Sequence, residues 1–534
     1  MKQRIIKPIL MACLMTFSLN THAQKSLPTI AITTSAQLEG AMPFFPGAGP
    51  RKKVEGHLKT KGYDGAIGIK LRGNSSMGFN QKKYTIETRD ADGKDLDVSL
   101  LGMPAHSKWV LLAPYNDVSM VRDPLAFQLW RDMGHWGPRT VMCELTMNGE
   151  YRGIYILCEA IKRGKERVDI GKLKKSDTSG RELTGGYLLR IDTSDENDFT
   201  FTSKLPGIGE GIMSSEVVWS CIYPKKKNLQ SAQSNYIVSY VDTVEQVIQS
   251  DYFADPVKGY ARYIDVESFV DYFIHTELSL NADAYRRSAY FYKEKQHKDG
   301  TGGKLFAGPV WDYNYAYGNS NLANADEPES WCYEGGSNNP TPAMWQRLLQ
   351  DPNFRKAVKK RYQQLRKKVL SNKAINAYID RQAQLLTKAR DHHFQIYPEL
   401  LVTEEQKQLF EKNKKRNPME GMFPPMGELP QGEFPKMDEL PKMGEFPPMG
   451  EFPPMGEMPQ FAGGMPSMVD AFAAYRVSSY DEEIQILKQW FADRLAFLDR
   501  NIDRFDKDWE PRIQPLVEKK MQFPFGMMPM GNEN

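Results

Sequence analysis

A chain of 534 residues, 40% hydrophobic and 11% aromatic, can bury a sizeable core, and its length suits two lobes or domains with appendages. Its 70 Lys and Arg against 67 Asp and Glu leave a net charge of +3, near balance, which argues against a nucleic-acid binder. The short basic runs Lys225 to Lys227 and Lys412 to Arg416 read as solvated loops.

Residues 1–23 read as an export leader. Lys2, Arg4 and Lys7 form a basic start, Ile9 to Leu19 is apolar but too short to span a bilayer, and Ala23 is the small residue a signal peptidase prefers. The expected address is therefore periplasmic, cell-surface or secreted. The apolar run continues past Cys13, which argues against lipidation there. No other stretch is long enough to cross a membrane. Beyond the leader remain Cys143, Cys158, Cys221 and Cys332. Cys143 and Cys158 could pair across adjacent strands, but the sparse spacing reads better as buried free thiols, and no cysteine or histidine spacing suits zinc.

A strand-rich region is expected over 27–215. LPTIAITT, AIGIKLRG, KYTIETRD, KWVLLAP, TVMCELTM, YRGIYILCEA and GGYLLRID are β-branched or aromatic runs between turn residues. One helix interrupts them, Asn116 to Met133, capped by Asp117 or Ser119 and burying Leu125, Leu129 and Met133. Within the region, Arg72 to Gly78 (RGNSSMG) forms a polar, glycine-bearing turn, and Lys82-Lys83 opens the next strand. Amides freed by Gly73 and Gly78 could cradle phosphates, with Arg72 and one of the two lysines supplying charge; a plain glycine hairpin would look the same.

Helices dominate 233–417, including Asn235 to Gln249, Asp265 to Asn281 and the stretch from Thr341, broken at Asp351-Pro352. His275 lies on the second of these and reads as a core or surface histidine, not a base. Inside this region sits 281–319, where Ser288 to Lys295 and Lys304 to Val310 read as two strands of a hairpin. Asp283 precedes the first strand and Asp312 follows the second, so pairing brings both carboxylates to one end. Either could instead serve only as a cap or turn residue. Residues 418–465 carry a repeated FPPMGE hexapeptide, expected to be an extended, disordered insertion. A last helix (Ser478 to Phe505, within 466–510) should return to the helical region, and 511–534 reads as a disordered tail.

Taken together, R-G-N-S-S-x-G-F-x-x-K-K at Arg72 to Lys83, D-x-Y-x-x-S-x-Y-F-Y-K from Asp283, and G-P-V-W-D-Y-N from Gly308 resemble the spore coat protein H (CotH) kinase family. The resemblance runs from about Leu27 to Arg366 and picks up again near the C-terminus, covering most of the folded chain. It implies an α+β, atypical protein-kinase-like fold of two lobes, strand-rich then helical, that transfers phosphate from ATP to Ser or Thr of a protein substrate with Mg²⁺ or Mn²⁺. Asp283 would be the catalytic acid-base, Asp312 the metal ligand with Asn314 and Ser288 as secondary ligands, and Arg72 with Lys83 the nucleotide contacts. Glu159 would be the acid pairing that lysine. Two positions depart from the kinase pattern: Ser288 stands where a metal-binding Asn is expected, and Asn314 where Gly would follow the aromatic residue. Those departures, with export to where ATP is scarce, suit an alternative: a surface or periplasmic binding protein that keeps the fold without turnover. A hydrolase using the two aspartates as paired carboxylates is the third reading.

Overall fold

The computed structural model describes residues 26–38, 52–73, 75–192, 198–208, 216–283, 285–322, 325–334, 341–414, 473–505 and 507. The leader, the hexapeptide repeat and the tail beyond 507 lie outside the described residues.

Seven strands close a barrel in the order β1-β2-β3-β4-β5-β7-β6: β1 (Thr29–Thr34), β2 (Val54–Thr60), β3 (Tyr63–Arg72), β4 (Lys83–Thr88), β5 (Lys108–Leu112), β6 (Thr140–Met147) and β7 (Glu150–Glu159). Neighbours run antiparallel except β1 and β6, whose parallel pairing shuts the barrel. Alternation along each strand sorts the side chains. Ile69, Leu71, Tyr84, Ile86, Trp109, Leu111, Tyr155 and Leu157 fill one core, while Val110, Leu112, Ile154, Ile156 and Cys158 join a second core built largely from helices. Cys143 belongs to the first core and Cys158 to the second, so the two thiols occupy opposite faces of adjacent strands; all four described cysteines are free.

Helix α1 (Arg122–Asp132) leaves β5 and packs Leu125, Phe127, Leu129 and Trp130 into the second core. It begins later than its apolar periodicity predicts. Asp117 and Ser119 fold beneath it, where Asp117 Oδ2 accepts from the Arg122 amide at 3.0 Å, and neither is the cap residue.

Beyond the barrel, β8 (Tyr187–Ile191), β9 (Phe199–Thr202) and β11 (Val218–Tyr223) do not extend it. They pair with β12 (Ala289–Lys293) and β13 (Leu305–Ala307) in a five-stranded sheet ordered β13-β12-β8-β11-β9. The expected hairpin is therefore present but is one edge of a larger sheet, with Phe291 opposite Ala307 on one side and Leu189 on the other. Two short strands, β10 (Gly207–Ile208) and β14 (Thr341–Pro342), pair separately.

The single turn α2 (Gly180–Leu183) precedes β8; α3 (Ser231–Gln249) and α4 (Val266–Ser279) follow β11, α4 opening on Asp265, whose carboxylate accepts from the Ser268 amide. Then come α5 (Ala343–Leu349), α6 (Pro352–Arg366, capped by Asp351), α7 (Asn372–Leu386), α8 (Arg390–Ile396) and α9 (Glu404–Lys414). The last described helix, α10 (Tyr480–Ile502), lays Ile484, Leu487, Phe491, Leu495 and Leu498 onto the helical core. Among the described residues no helix is long and apolar enough to cross a membrane.

Candidate functional site

The barrel and the five-stranded sheet meet at a cavity of about 400 Å³. Its barrel wall follows from strand alternation. Tyr84 and Ile86 of β4 point into the barrel, so Lys83 and Thr85 point out of it into the cavity. Arg72 ends β3 directly opposite Lys83 in the antiparallel register, which puts two cations side by side. The neighbouring Lys82 is turned away: its ammonium donates to the carbonyls of Met77 and Phe79 at 2.7 and 2.5 Å. Of the two lysines left open by sequence, Lys83 faces the cavity.

The turn after Arg72 is built as its glycine suggests. Gly73 has φ +114°, and a Cβ there would meet Ser76 Oγ at 2.0 Å. Gly73 and Ser76 line the cavity; Gly78 closes the short 3₁₀ turn Ser75–Gly78 and does not, and Asn74 lies outside the described residues. The Arg72 guanidinium lies 4.9 Å above the Trp311 ring, which stacks on Phe127 of α1.

The opposite wall carries the aspartates. After β13 the chain runs through Trp311 to Asp312, which has φ +66°, a conformation that non-glycine residues rarely adopt. Neighbours hold it there. Asn281 Nδ2 donates to the Asp312 carbonyl at 3.1 Å, and the Tyr313 amide donates to Asp123 Oδ1 at 2.6 Å. Asp312 then meets Lys83 across the cavity, Oδ1 to Nζ, at 3.6 Å. The lysine side chain is 7% exposed and the carboxylate 36%, so the aspartate keeps a free face toward the opening.

Asp283 stands on the same wall and keeps 30% of its side-chain surface open, with Arg287 Nη1 3.8 Å from its Oδ1. Burial pushes its carboxyl up to about 6; the Arg287 charge opposes this, and Asp312 and Asp192 add to it. Ser288, at φ +48°, and Asn314 also line the cavity. The Asn314 amide nitrogen is engaged with Asn116 Oδ1 at 2.9 Å, which leaves its oxygen as the possible ligand atom.

Six of the seven residues singled out by sequence thus converge on one cavity: Arg72, Lys83, Asp283, Ser288, Asp312 and Asn314. Glu159 does not. It ends β7 fully buried, with Oε1 2.5 Å from Arg167 Nη1 and 3.4 Å from Arg139 Nη1, and it pairs with neither lysine of the 82–83 dipeptide. Lys83 pairs instead with Asp312, and its charge also acts on Asp123, in the first turn of α1. Burial pushes Asp123 up to about 7, with the Lys83 charge opposing and the Asp312 charge adding. Its sequence signal was faint: an aspartate four and seven residues before the buried Phe127 and Trp130, on the face that packs inward. His275 is a core residue, its Nε2 2.9 Å from the Ala126 carbonyl, and burial lowers it to about 4.

Sequence reasoning also missed Lys70, Arg190, Asp192 and Arg287 of the lining. With them, five basic side chains and three aspartates share the cavity, a balance that suits a polyanion accompanied by a cation. Among the described residues no cluster of three or more His, Cys, Asp or Glu is arranged to hold a metal on its own. One or two carboxylates that rely on phosphate oxygens to complete the shell are the usual arrangement for Mg²⁺ at a nucleotide, and Asp312 with the Asn314 amide fits it.

The family model described as CotH kinase protein matches residues 69–418. A curated relative, the inner spore coat protein H of Bacillus subtilis (strain 168), is 22% identical over 250 residues, 47% of this chain and 59% of that protein. The aligned stretch therefore spans less than two thirds of the relative's length.

Proposed function

Because the chain belongs to the CotH kinase family, we propose that its cavity binds ATP with a divalent metal and transfers the γ-phosphoryl group to a serine or threonine of a protein, in an exported setting. In this reading the barrel with α1 acts as the nucleotide-side lobe and the helices with the five-stranded sheet as the second lobe of an atypical kinase-like fold. The observation that carries it is the Lys83–Asp312 contact at 3.6 Å across a cavity that also holds Asp283.

Each residue has a task that its surroundings support. Arg72 and Lys83 face the phosphates and offset the charge that spreads over the transferring group, while Gly73 lets the backbone approach closely. Asp312, with Asn314 and Ser288 as further oxygen ligands, would hold the metal, which supplies neutralisation of phosphate charge when bound. Asp283 orients the acceptor hydroxyl and takes its proton as the new O–P bond forms and the bond to the ADP leaving group breaks. A carboxyl raised to about 6 is ionised at neutral pH yet basic enough for that task. Arg287 keeps the ionised form available beside it.

The test is incorporation of label from γ-labelled ATP into the chain itself or a generic protein acceptor, with Mn²⁺ or Mg²⁺ present. Wild type should incorporate label and Asp283→Asn should not, while both bind nucleotide. Nucleotide binding without any transfer in the wild type would refute the phosphotransfer reading in favour of a binding protein, the outcome that Ser288 in place of Asn favours.

A further inference from the structure

We infer that Arg122 is a positioning residue that fastens the loop carrying Asp312 to helix α10, so that a segment outside the family-matched residues completes the site. This rests on the metal-nucleotide reading above. It concerns Arg122, Glu483 and Tyr475, none of which lines the cavity of Asp312.

The Arg122 side chain is fully buried and every arm of its guanidinium is committed. Nε donates to the Ala316 carbonyl at 3.1 Å, Nη1 to Asp117 Oδ1 and Glu483 Oε1 at 2.5 Å each, and Nη2 to Tyr475 Oη at 2.8 Å. Tyr475 Oη in turn donates to Glu483 Oε1 at 3.1 Å. Glu483 is in the first turn of α10 and Tyr475 just ahead of it, whereas the family match ends at 418. Ala316 lies four residues past Asp312, and the next residue along the chain from Arg122 is Asp123, which takes the Tyr313 amide. Two adjacent side chains of α1 therefore grip the same loop, one at Tyr313 and the other at Ala316.

That loop needs outside support. Asp312 and Tyr317 both have positive φ, at +66° and +53°, conformations that L residues hold only when their surroundings impose them. α10 and the segment ahead of it supply part of the imposition directly: the Tyr317 ring packs on Phe491 and Trp490 of α10, with centroids 4.8 and 5.8 Å apart, and Ser320 bridges to Ala473 before the helix. Beside the bonds that Asn281 and Asp123 make to the same loop, Arg122 adds a further hold by keeping a loop carbonyl and an α10 carboxylate on one planar fork. Lysine carries the same charge but only a point of donors, so it can satisfy the two acids without reaching Ala316 as well.

The experiment compares full-length wild type with Arg122→Lys, titrating ATP with and without Mn²⁺ and recording thermal melting. Loss of an outer support should cost ~10-fold in the manganese-driven gain of ATP affinity, while metal-free ATP affinity stays within about twofold, the margin that sub-kcal changes allow. A merely structural role would weaken both titrations together, and that result, or an unchanged manganese gain, overturns the inference. If Arg122→Lys does not fold, Tyr475→Phe removes one bond of the same network; a smaller loss confined to the manganese arm supports the inference, and none refutes it. A wild type that shows no manganese gain is a different failure, visible before any substitution. It refutes the metal-nucleotide reading and takes the inference with it.

Discussion

Replacing Lys83 by methionine keeps the stem that packs on the barrel edge and removes only the ammonium. Two unit charges at the observed 3.6 Å attract by about 4.6 kcal/mol at an effective dielectric of 20 and by about 1.2 kcal/mol in water. Asp312 is 36% exposed, so screening places the usable part toward the lower figure, roughly 1–2 kcal/mol. A phosphate placed against the same ammonium draws on an attraction of that order, and Lys83→Met should weaken ATP binding by about 5- to 30-fold. Removing the cation also leaves Asp312 and the buried Asp123 facing each other with less compensation, so transfer should fall further than binding. The control is Lys82→Met. Its ammonium is spent on the Met77 and Phe79 carbonyls and does not line the cavity, so the variant should lower the melting temperature and change ATP affinity by less than about twofold. Calorimetric titration of both variants with ATP and Mn²⁺ decides the matter. Equal losses, or a greater loss in Lys82→Met, would refute the assignment of Lys83 to the phosphates.

Other outcomes follow from the same geometry. Transfer should be lost as pH falls through about 6, where Asp283 takes up a proton, and Arg287→Ala should move that limb upward because the charge opposing protonation is gone; a pH–rate profile checks both. For stability the sign is the reverse. A carboxyl raised in the folded chain holds its proton between the ordinary range and about 6, so this group's contribution to stability declines as pH rises through that window, and melting curves of Asp283→Asn should show a weaker decline. Glu159→Gln leaves Arg167 buried without its counter-charge and should cost about 3 kcal/mol of stability, read by denaturant unfolding, with ATP affinity unchanged. Cys143 and Cys158, on opposite strand faces, should both react with a thiol reagent only after unfolding and show no disulfide by intact mass.

Much of the site was legible because its parts are local. The placing of Asp283 and Asp312 together at one end of a hairpin, before its first strand and after its second, follows from the two strand-like runs and the glycines between them, and Asp265 and Asp351 advertise their helices as caps. Strand alternation already implied that only one of Lys82 and Lys83 could face out of the barrel, although which one depended on where Tyr84 and Ile86 packed. What escaped the sequence was non-local pairing. The strand β2, VEGHLKT, is polar and glycine-bearing with only Leu58 fully buried, so its pattern reads as loop. That β8 joins the hairpin and not the barrel depends on a pairing with Ala289 to Lys293 about a hundred residues away, which periodicity does not encode. Glu159 shows the same limit. A strand-end glutamate after a buried run looks like a partner for a site lysine, but Arg139 and Arg167, brought in by separate loops, claim it first. Asp123 was hidden among the apolar residues of its helix.

The most direct measurement is the anomalous scattering of manganese in crystals of the wild-type chain grown with a non-hydrolysable ATP analogue. The expected density is a peak at roughly 2.0–2.3 Å from a carboxylate oxygen of Asp312, with the terminal phosphate between Lys83 and Asp283. Manganese away from Asp312, or an analogue bound outside the cavity between barrel and sheet, would contradict the assignment of this site to phosphoryl transfer.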